Sequence, residues 1–218
     1  MALRRKEKRT ERSKLDATPP WDTRRHHDSE PTTGPYDEAD EPDDGVQRLD
    51  LGALRIPAES GLEIRVEVAE EGQVAGVVVL NETGQMQLGV FAAPRKDGIW
   101  DEVRAEIKAS ISSQGGTVSE QDGEFGVELG GKLPAPGGIT PVRFIGVDGP
   151  RWFLRGMLAG APAQADEHAK VFLDTFRGVV VVRGVEPLPV RDPVPLVLPR
   201  DAAEQIAAAA GEPDEQQN

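Results

Sequence analysis

The residues with the clearest potential for chemistry lie in and beside one short segment, residues 146–156. If residues 148–150 form a three-residue turn between two strands, Arg143 and Arg155 face each other and share one side of a hairpin with Arg151. Like charges directly opposite each other are unfavourable unless an anion lies between them. The segment therefore predicts an anion or acidic-peptide site formed by Arg143, Asp148, Arg151, Trp152 and Arg155.

Two other arrangements of the same arginines stay open. A two-residue turn shifts the pairing of the strands and places the arginines on different faces of the hairpin. Alternatively, neighbouring Glu and Asp side chains neutralise the arginines, and the cluster is then structural. In any regular strand, alternation should turn Trp152 into the core while Arg151 and Arg155 project from the other face.

Other catalytic and metal-binding chemistry has little support. The chain has no cysteine, which excludes disulfides, thiolate metal sites and cysteine nucleophiles. Its three histidines are not accompanied by a Gly-x-Ser-x-Gly elbow. Residues 126–132 match the start of a phosphate-binding loop, but Leu133 stands where a magnesium-binding hydroxyl is required, and Pro134 and Pro136 exclude the helix that should follow. We predict no catalytic residue, no metal site and no cofactor.

Charge is distributed in blocks along the 218 residues, whose formal net charge is −13. Residues 1–14 carry seven cations and two anions, whereas residues 15–45 carry two cations and ten anions. Trp21 and Tyr36 are the aromatic residues outside 91–176. Blocks of like charge with few aromatic residues are typical of tails. The predicted organisation is a disordered arm, basic and then acidic, at 1–45, a single domain at 46–185, a Pro-rich extended strap at 186–204, and a disordered end at 205–218.

The domain is predicted to be α+β. Strict alternation at 62–68 and a continuous apolar run at 74–80 indicate strands. Apolar residues at i, i+4 spacing over 99–111 indicate an amphipathic helix. Residues 122–123 give a hairpin signal, and Pro162 is placed to open a second helix. This order of elements is typical of a largely antiparallel sheet with two main helices.

Several segments resemble an actinobacterial family known as domain of unknown function 3710. The matching segments are residues 20–22, 91–95, 98–104, 146–156, 181–184 and the Pro-rich stretch through Pro199. Gly-x-Asp-Gly-Pro-Arg-Trp, at 146–152, is the most specific of them. The resemblance implies a cytoplasmic protein of a high-GC bacterium and supplies no catalytic residue. The order of elements is more loosely similar to that of the PsbP-like α/β sandwich, which often serves as a protein-binding module.

These observations favour a cytoplasmic, non-enzymatic module that binds another protein. The alternative is an enzyme or a small-anion-binding protein that uses Arg143, Arg151 and Arg155 as a clamp. The basic residues 4–14 are expected to make weak, salt-sensitive contact with anionic surfaces. No apolar stretch approaches the ~20 residues of a membrane-spanning helix. The oligomeric state is not predicted.

Overall fold

The computed structural model describes residues 33–68, 74–95 and 98–199. Within these ranges the chain forms two α-helices and eleven β-strands, which confirms the predicted α+β class. The helices are α1 (Trp100–Ser113) and α2 (Asp166–Arg177). The strands are β1 (Tyr36–Asp37), β2 (Arg48–Asp50), β3 (Leu54–Pro57), β4 (Glu63–Val68), β5 (Val74–Asn81), β6 (Gly84–Ala92), β7 (Thr117–Gly123), β8 (Gly126–Ala135), β9 (Gly138–Gly149), β10 (Trp152–Gly160) and β11 (Val180–Val181). The predictions for residues 1–32 and 205–218, including the surface contact of 4–14, lie outside the described residues.

Seven strands form one antiparallel sheet in the order β4-β5-β6-β10-β9-β8-β7. The alternating segment 62–68 forms β4, whose charged side chains are exposed. The apolar run 74–80 forms β5, in which Val77 and Val79 are buried. The long-range pairing of β6 with β10 joins the two halves of the sheet. The β9–β10 hairpin therefore lies in the middle of the sheet, where strands are paired on both edges.

Helix α1 covers one face of the sheet, mainly over β7, β8 and β9. Its buried residues Trp100 and Ile111 pack with Phe144 and Phe153 in a small core of their own. The chain leaves the helix through Gly115, whose φ of 78° belongs to the left-handed conformation common after helix C-termini. Among the described residues, no helix covers the β4–β6 half of this face.

The opposite face carries the main core, which lies under α2 and a second sheet with the order β1-β11-β3-β2. Phe172 and Phe176 of α2 are fully buried and belong to the same cluster as Met86 and Leu154 of the large sheet. The proline expected to open this helix lies in the preceding 3-10 turn Ala161–Ala163. Within the described ranges, neither helix is long and apolar enough to span a membrane.

Strand β1 lies before residue 46, the position at which composition places the start of the domain. The packed part of the chain therefore begins earlier than composition indicates. Tyr36 and Asp37 pair in parallel with β11, and the Tyr36 N–H donates to the Val179 carbonyl at 2.9 Å. Residues 33–45 therefore include a strand of the small sheet, although their composition is that of a tail. A strand of two residues has no periodicity, so no local pattern indicates it.

The described part of the strap, residues 186–199, runs from β6 to the small sheet. The Val194 N–H donates to the Val90 carbonyl at 2.9 Å, and the Val197 N–H donates to the Leu51 carbonyl at 2.9 Å. Pairing between β5 and β6 ends at Leu88, so the strap occupies the edge of β6 that β5 leaves. As a result, the same edge of β6 is paired first with β5, up to Leu88, and then with the strap, at Val90 and Ala92.

Candidate functional site

The β9–β10 hairpin turns through two residues, Pro150 and Arg151. Because Trp152 pairs with Gly149, the expected three-residue turn is wrong, and the alternative two-residue turn is the one that forms. A proline followed by a residue at positive φ is the pattern of a type II turn, and Arg151 has a φ of 66°. The left-handed region is uncommon for a residue other than glycine, so the sequence contains no clear signal for this turn.

The resulting register separates the arginines of the predicted site. Arg143 lies on the face toward α2, whereas Arg155 lies on the face toward α1. Arg151 lies in the turn itself. The expectation that these three residues share one face is therefore wrong. Trp152 does turn into the core, where it is 2 % exposed.

Arg143 is a buried charge with two acidic partners. Its Nε donates to Oε2 of Glu128 at 2.6 Å, and its Nη1 donates to Oδ1 of Asp166 at 2.7 Å. Burial lowers the pKa of Arg143, but the hydrogen bonds and charges of Glu128 and Asp166 outweigh burial and raise this pKa above its usual value. For Arg143, the arrangement that forms is the alternative in which neighbouring acidic side chains neutralise the charge.

Asp148 holds the start of α1. Its Oδ1 accepts a hydrogen bond from the Ile99 N–H at 2.8 Å, and its Oδ2 accepts one from the Trp100 N–H at 3.1 Å. The N–H groups of a first helical turn have no partners within the helix, so an external carboxylate there acts as a cap. A Cβ atom on Gly98 would lie 2.4 Å from the Asp148 carboxylate, which explains the glycine before the helix.

Arg151 and Trp152 hold two further parts of the chain to the same hairpin. The Arg151 Nη2 donates to the Gly184 carbonyl at 3.0 Å, just after β11. The Trp152 Nε1 donates to the Asp37 carboxylate in β1 at 2.8 Å. A Cβ atom on Gly149 would lie 2.1 Å from the Trp152 ring. The most specific sequence motif therefore has a structural role in joining β1, α1 and the segment after β11.

Arg155 differs from the other predicted site residues. Its Cζ lies 5.1 Å from the centroid of the Phe91 ring, in a cation–π contact. Burial lowers the pKa of Arg155, and no charge or hydrogen bond from the described residues offsets this effect. A guanidinium nevertheless stays protonated at neutral pH. A half-buried cation without a carboxylate partner among the described residues is the arrangement expected of an anion-binding group.

Arg155 lines an open groove of about 750 Å³ between β5, β6 and the strap. Four strands meet at its floor: Glu67 of β4 pairs with Gly76 of β5, and Gly89 of β6 pairs with Arg155 of β10. Gly76 and Gly89 directly follow the last β5–β6 pair, Val77 with Leu88, and so lie where these two strands separate. The Phe91 ring lies over Gly89, where a Cβ atom would approach it to 3.0 Å. Because neither glycine has a side chain, the groove is deeper between Glu67 and Arg155.

Sequence reasoning identified Arg155 but missed this groove. A glycine inside a strand often marks a close approach of another group, and Gly76 and Gly89 interrupt two apolar strands. That signal was available from the sequence. That both glycines line one groove with Arg155 depends on how β5, β6 and β10 pair, which local patterns do not specify.

A smaller cavity of about 160 Å³ lies on the α1 side of Arg155. Arg191 of the strap lines it and donates to Glu106 at 2.5 Å and to Glu102 at 2.7 Å. These hydrogen bonds raise the pKa of Arg191 above its usual value. Glu106, the acid of α1 that lines this cavity together with Arg155, is therefore paired with Arg191 rather than with Arg155.

A depression of about 480 Å³ beside α2 is lined by charges of both signs. Arg177 pairs with Asp174 and Glu124, and Lys170 pairs with Asp174 at 2.6 Å. These charges neutralise one another, so this depression is a weaker candidate than the groove at Arg155. In the part of the chain that the structure describes, no group of three or more His, Asp or Glu side chains is placed to hold a metal ion.

Comparisons with known proteins include two distant structural similarities and one family match. No curated protein matches the sequence at a significant level. Among solved structures, the chain is similar to cyanobacterial PsbP (CyanoP) from Synechocystis sp. PCC 6803, with 13 % identity and a TM-score of 0.40 over 62 % of this chain and 92 % of that one. It is also similar to a protein from Bacteroides thetaiotaomicron VPI-5482, with 12 % identity and a TM-score of 0.41 over 72 % of this chain and 54 % of that one, so it spans about half the length of that protein.

The family comparison includes every described strand and helix. Residues 34–205 match the model of the family described as "Protein of unknown function (DUF3710)". The match begins just before β1 and continues through the hairpin, the groove and the strap. The resemblance found in the sequence is thereby confirmed. The chain belongs to the DUF3710 family.

Proposed function

We propose that this protein is a non-enzymatic module that binds another protein through the groove at Arg155. The observation that carries the proposal is the Arg155 guanidinium, which is stacked on Phe91 and has no acidic partner among residues 33–68, 74–95 and 98–199. A charge removed from water costs free energy unless it is paired. A partner that supplies a carboxylate there removes this cost, which favours binding.

The side chains of the groove favour binding over catalysis. Gln87 and Arg155 are the polar side chains among the described residues that line it. General acid–base catalysis needs a group that gains and loses a proton near the working pH. Glutamine does not titrate, and arginine keeps its proton at neutral pH. The groove can therefore orient and hold a ligand, but its own side chains supply neither a nucleophile nor a base.

The alternative of a three-arginine anion clamp has lost its geometric basis. Arg143 is paired with Glu128 and Asp166 on the other face of the sheet, and Arg151 lies in the hairpin turn. A single arginine at the edge of an apolar groove fits an anionic group attached to an apolar body better than a free inorganic anion. We place the module in the cytoplasm of an actinobacterium, as the family resemblance implies.

The proposal is tested by capture from native lysate with the full-length chain as bait. Three baits are compared: the wild type, Arg155→Met, and Lys170→Met as a control. Lys170 is exposed on α2 and its substitution removes the same charge outside the groove. We expect a stoichiometric protein partner with the wild type and with Lys170→Met, and its loss with Arg155→Met. Equal capture by all three baits, or the absence of any stoichiometric partner, contradicts the proposal.

A further inference from the structure

The groove has an elongated wall formed by six consecutive residues of the strap, residues 193–198. A chain in extended conformation rises about 3.3 Å per residue, so a segment of similar length spans roughly 20 Å. The groove is also open to solvent rather than closed around a cavity. An elongated, open groove suits a chain-like occupant better than a compact small molecule.

The strap also determines how such a chain is held. Pro193 and Pro195 have no N–H group, and the Val194 N–H is already bonded to the Val90 carbonyl. The first part of this wall therefore offers few backbone donors for the addition of another strand. Recognition must come mainly from side chains that enter the groove and from the charge at Arg155.

Most of the groove surface is apolar. Val74, Phe91 and Leu198 contribute apolar side chains, and Gly76 and Gly89 leave room above the floor. Burial of apolar side chains in such a groove is favourable because it removes their surface from water. The occupant is therefore expected to carry apolar side chains next to the group that contacts Arg155.

The charge of the whole chain limits how acidic the occupant can be. The formal net charge of −13 repels a partner segment with many carboxylates. Arg155, in contrast, provides a local cation, and a guanidinium and a carboxylate form two parallel hydrogen bonds. One carboxylate among apolar residues satisfies both conditions, whereas an acidic run does not.

From this geometry, and resting on the proposed function, we infer that the groove binds an extended segment of the partner protein, about six residues long, in which one Asp or Glu contacts Arg155. Apolar side chains on either side of that residue fill the space above Gly76 and beside Phe91. Arg155 is the residue that determines specificity, because the remaining contacts are apolar and accept many sequences.

The probe is an array of fluorescein-labelled octapeptides that combine aliphatic and aromatic residues with a single Glu at each position. Each peptide has a twin in which Gln replaces Glu, and binding to the full-length protein is measured by fluorescence anisotropy. We expect a subset of Glu peptides to bind the wild type at least about tenfold more tightly than their Gln twins, a difference of about 1.4 kcal/mol. Arg155→Met should remove this difference, whereas Lys170→Met should retain it.

A second variant tests the groove without changing its charge. Gly76→Leu places a side chain above the floor, where a Cβ atom meets the end of the flexible Glu67 side chain at 3.0 Å. We expect this variant to keep the thermal midpoint of the wild type within a few degrees and to lose binding of the Glu peptides. Octanoate is the small-molecule control, and we expect it to bind much more weakly than the best peptide.

Three results overturn the inference: no peptide of the array binds, the preference for Glu persists in Arg155→Met, or octanoate binds as tightly as the best peptide. If the capture experiment depends on Arg155 but the array shows no preference for Glu, the occupant is of another kind and the proposed function stands. If no partner is captured by any bait, the proposed function itself fails.

Discussion

Oδ2 of Asp148 accepts a hydrogen bond from the backbone N–H of Trp100 at 3.1 Å, so the β9–β10 hairpin supplies the N-terminal cap of helix α1. The residue directly before the helix, Ile99, makes no side-chain cap of its own. The start of α1 therefore depends on a contact between two segments that are far apart in the sequence. The hairpin and the helix are expected to gain or lose stability together.

Replacement of the capping carboxylate is the first test of this coupling. Asp148→Ala is expected to lower the free energy of unfolding by about 1–2 kcal/mol, the upper range for loss of an N-terminal cap. Asp148→Asn keeps an acceptor oxygen and should cost less. Urea denaturation measures both values. As a control, Asp101→Ala removes an exposed acid of the first turn and should cost less than about 1 kcal/mol. The coupling is absent if Asp148→Ala leaves amide exchange in the first turn of α1 unchanged.

Trp152 and Asp37 provide a test of how β1 is attached. Trp152→Ala is expected to cost about 3–5 kcal/mol, because it leaves a large cavity in the core. Trp152→Phe keeps an aromatic ring in the core but loses the N–H donor to Asp37, and it should cost much less. Asp37→Ala should shift the indole N–H resonance of Trp152 and accelerate its exchange with solvent. An unchanged indole resonance in Asp37→Ala shows that the two residues are not in contact in solution.

The buried pair of Glu128 and Arg143 predicts strong non-additivity. Arg143→Met leaves the fully buried Glu128 without its cation and should cost about 3–5 kcal/mol. The double variant Glu128→Leu with Arg143→Met leaves no buried unpaired charge at this site, because the remaining partner Asp166 is exposed, and it should recover most of that loss. Chemical denaturation of the wild type, both single variants and the double variant gives the coupling energy. Losses that simply add in the double variant rule out a coupled pair.

Asp44 gives a prediction about pH. Its carboxylate accepts a hydrogen bond from Arg48 at 2.7 Å and another from the Val46 N–H at 2.9 Å, and these contacts, the first above all, lower the pKa of Asp44 from 3.8 to about 2. Because the pKa is lower in the folded state, this group stabilises the fold fully above its unfolded pKa of about 4. The contribution is lost as the pH falls toward 2.

Carbon-detected NMR titration of the Asp44 carboxyl group measures this shift directly. The midpoint should lie near 2 in the wild type and return toward 3.8 in Arg48→Met. Asp44→Asn should reduce the loss of stability between pH 4 and pH 2 relative to the wild type. A wild-type midpoint close to 4 would show that the ion pair does not persist in solution.

The elements with clear periodicity were predictable from local patterns. The alternation at 62–68, the apolar run at 74–80 and the helical spacing over 99–111 each correspond to an element of the structure. Each pattern reflects which face of a single segment is buried, and neighbours along the chain carry that information. The α+β class followed from the order of these elements, and the family resemblance followed from separate short motifs, above all the one at 146–152.

The candidate site depended on contacts between distant segments. Whether the hairpin turn had two residues or three decided the faces on which Arg143 and Arg155 lie, and the positive φ of Arg151 was not indicated by its residue type. Glu128 and Asp166 neutralise Arg143, whereas Glu106, which lines a cavity with Arg155, is already paired with Arg191. Which arginine keeps an unpaired charge is a question of distances in space. Strand pairing and packing set these distances, and the periodicity of a single segment contains no information about them.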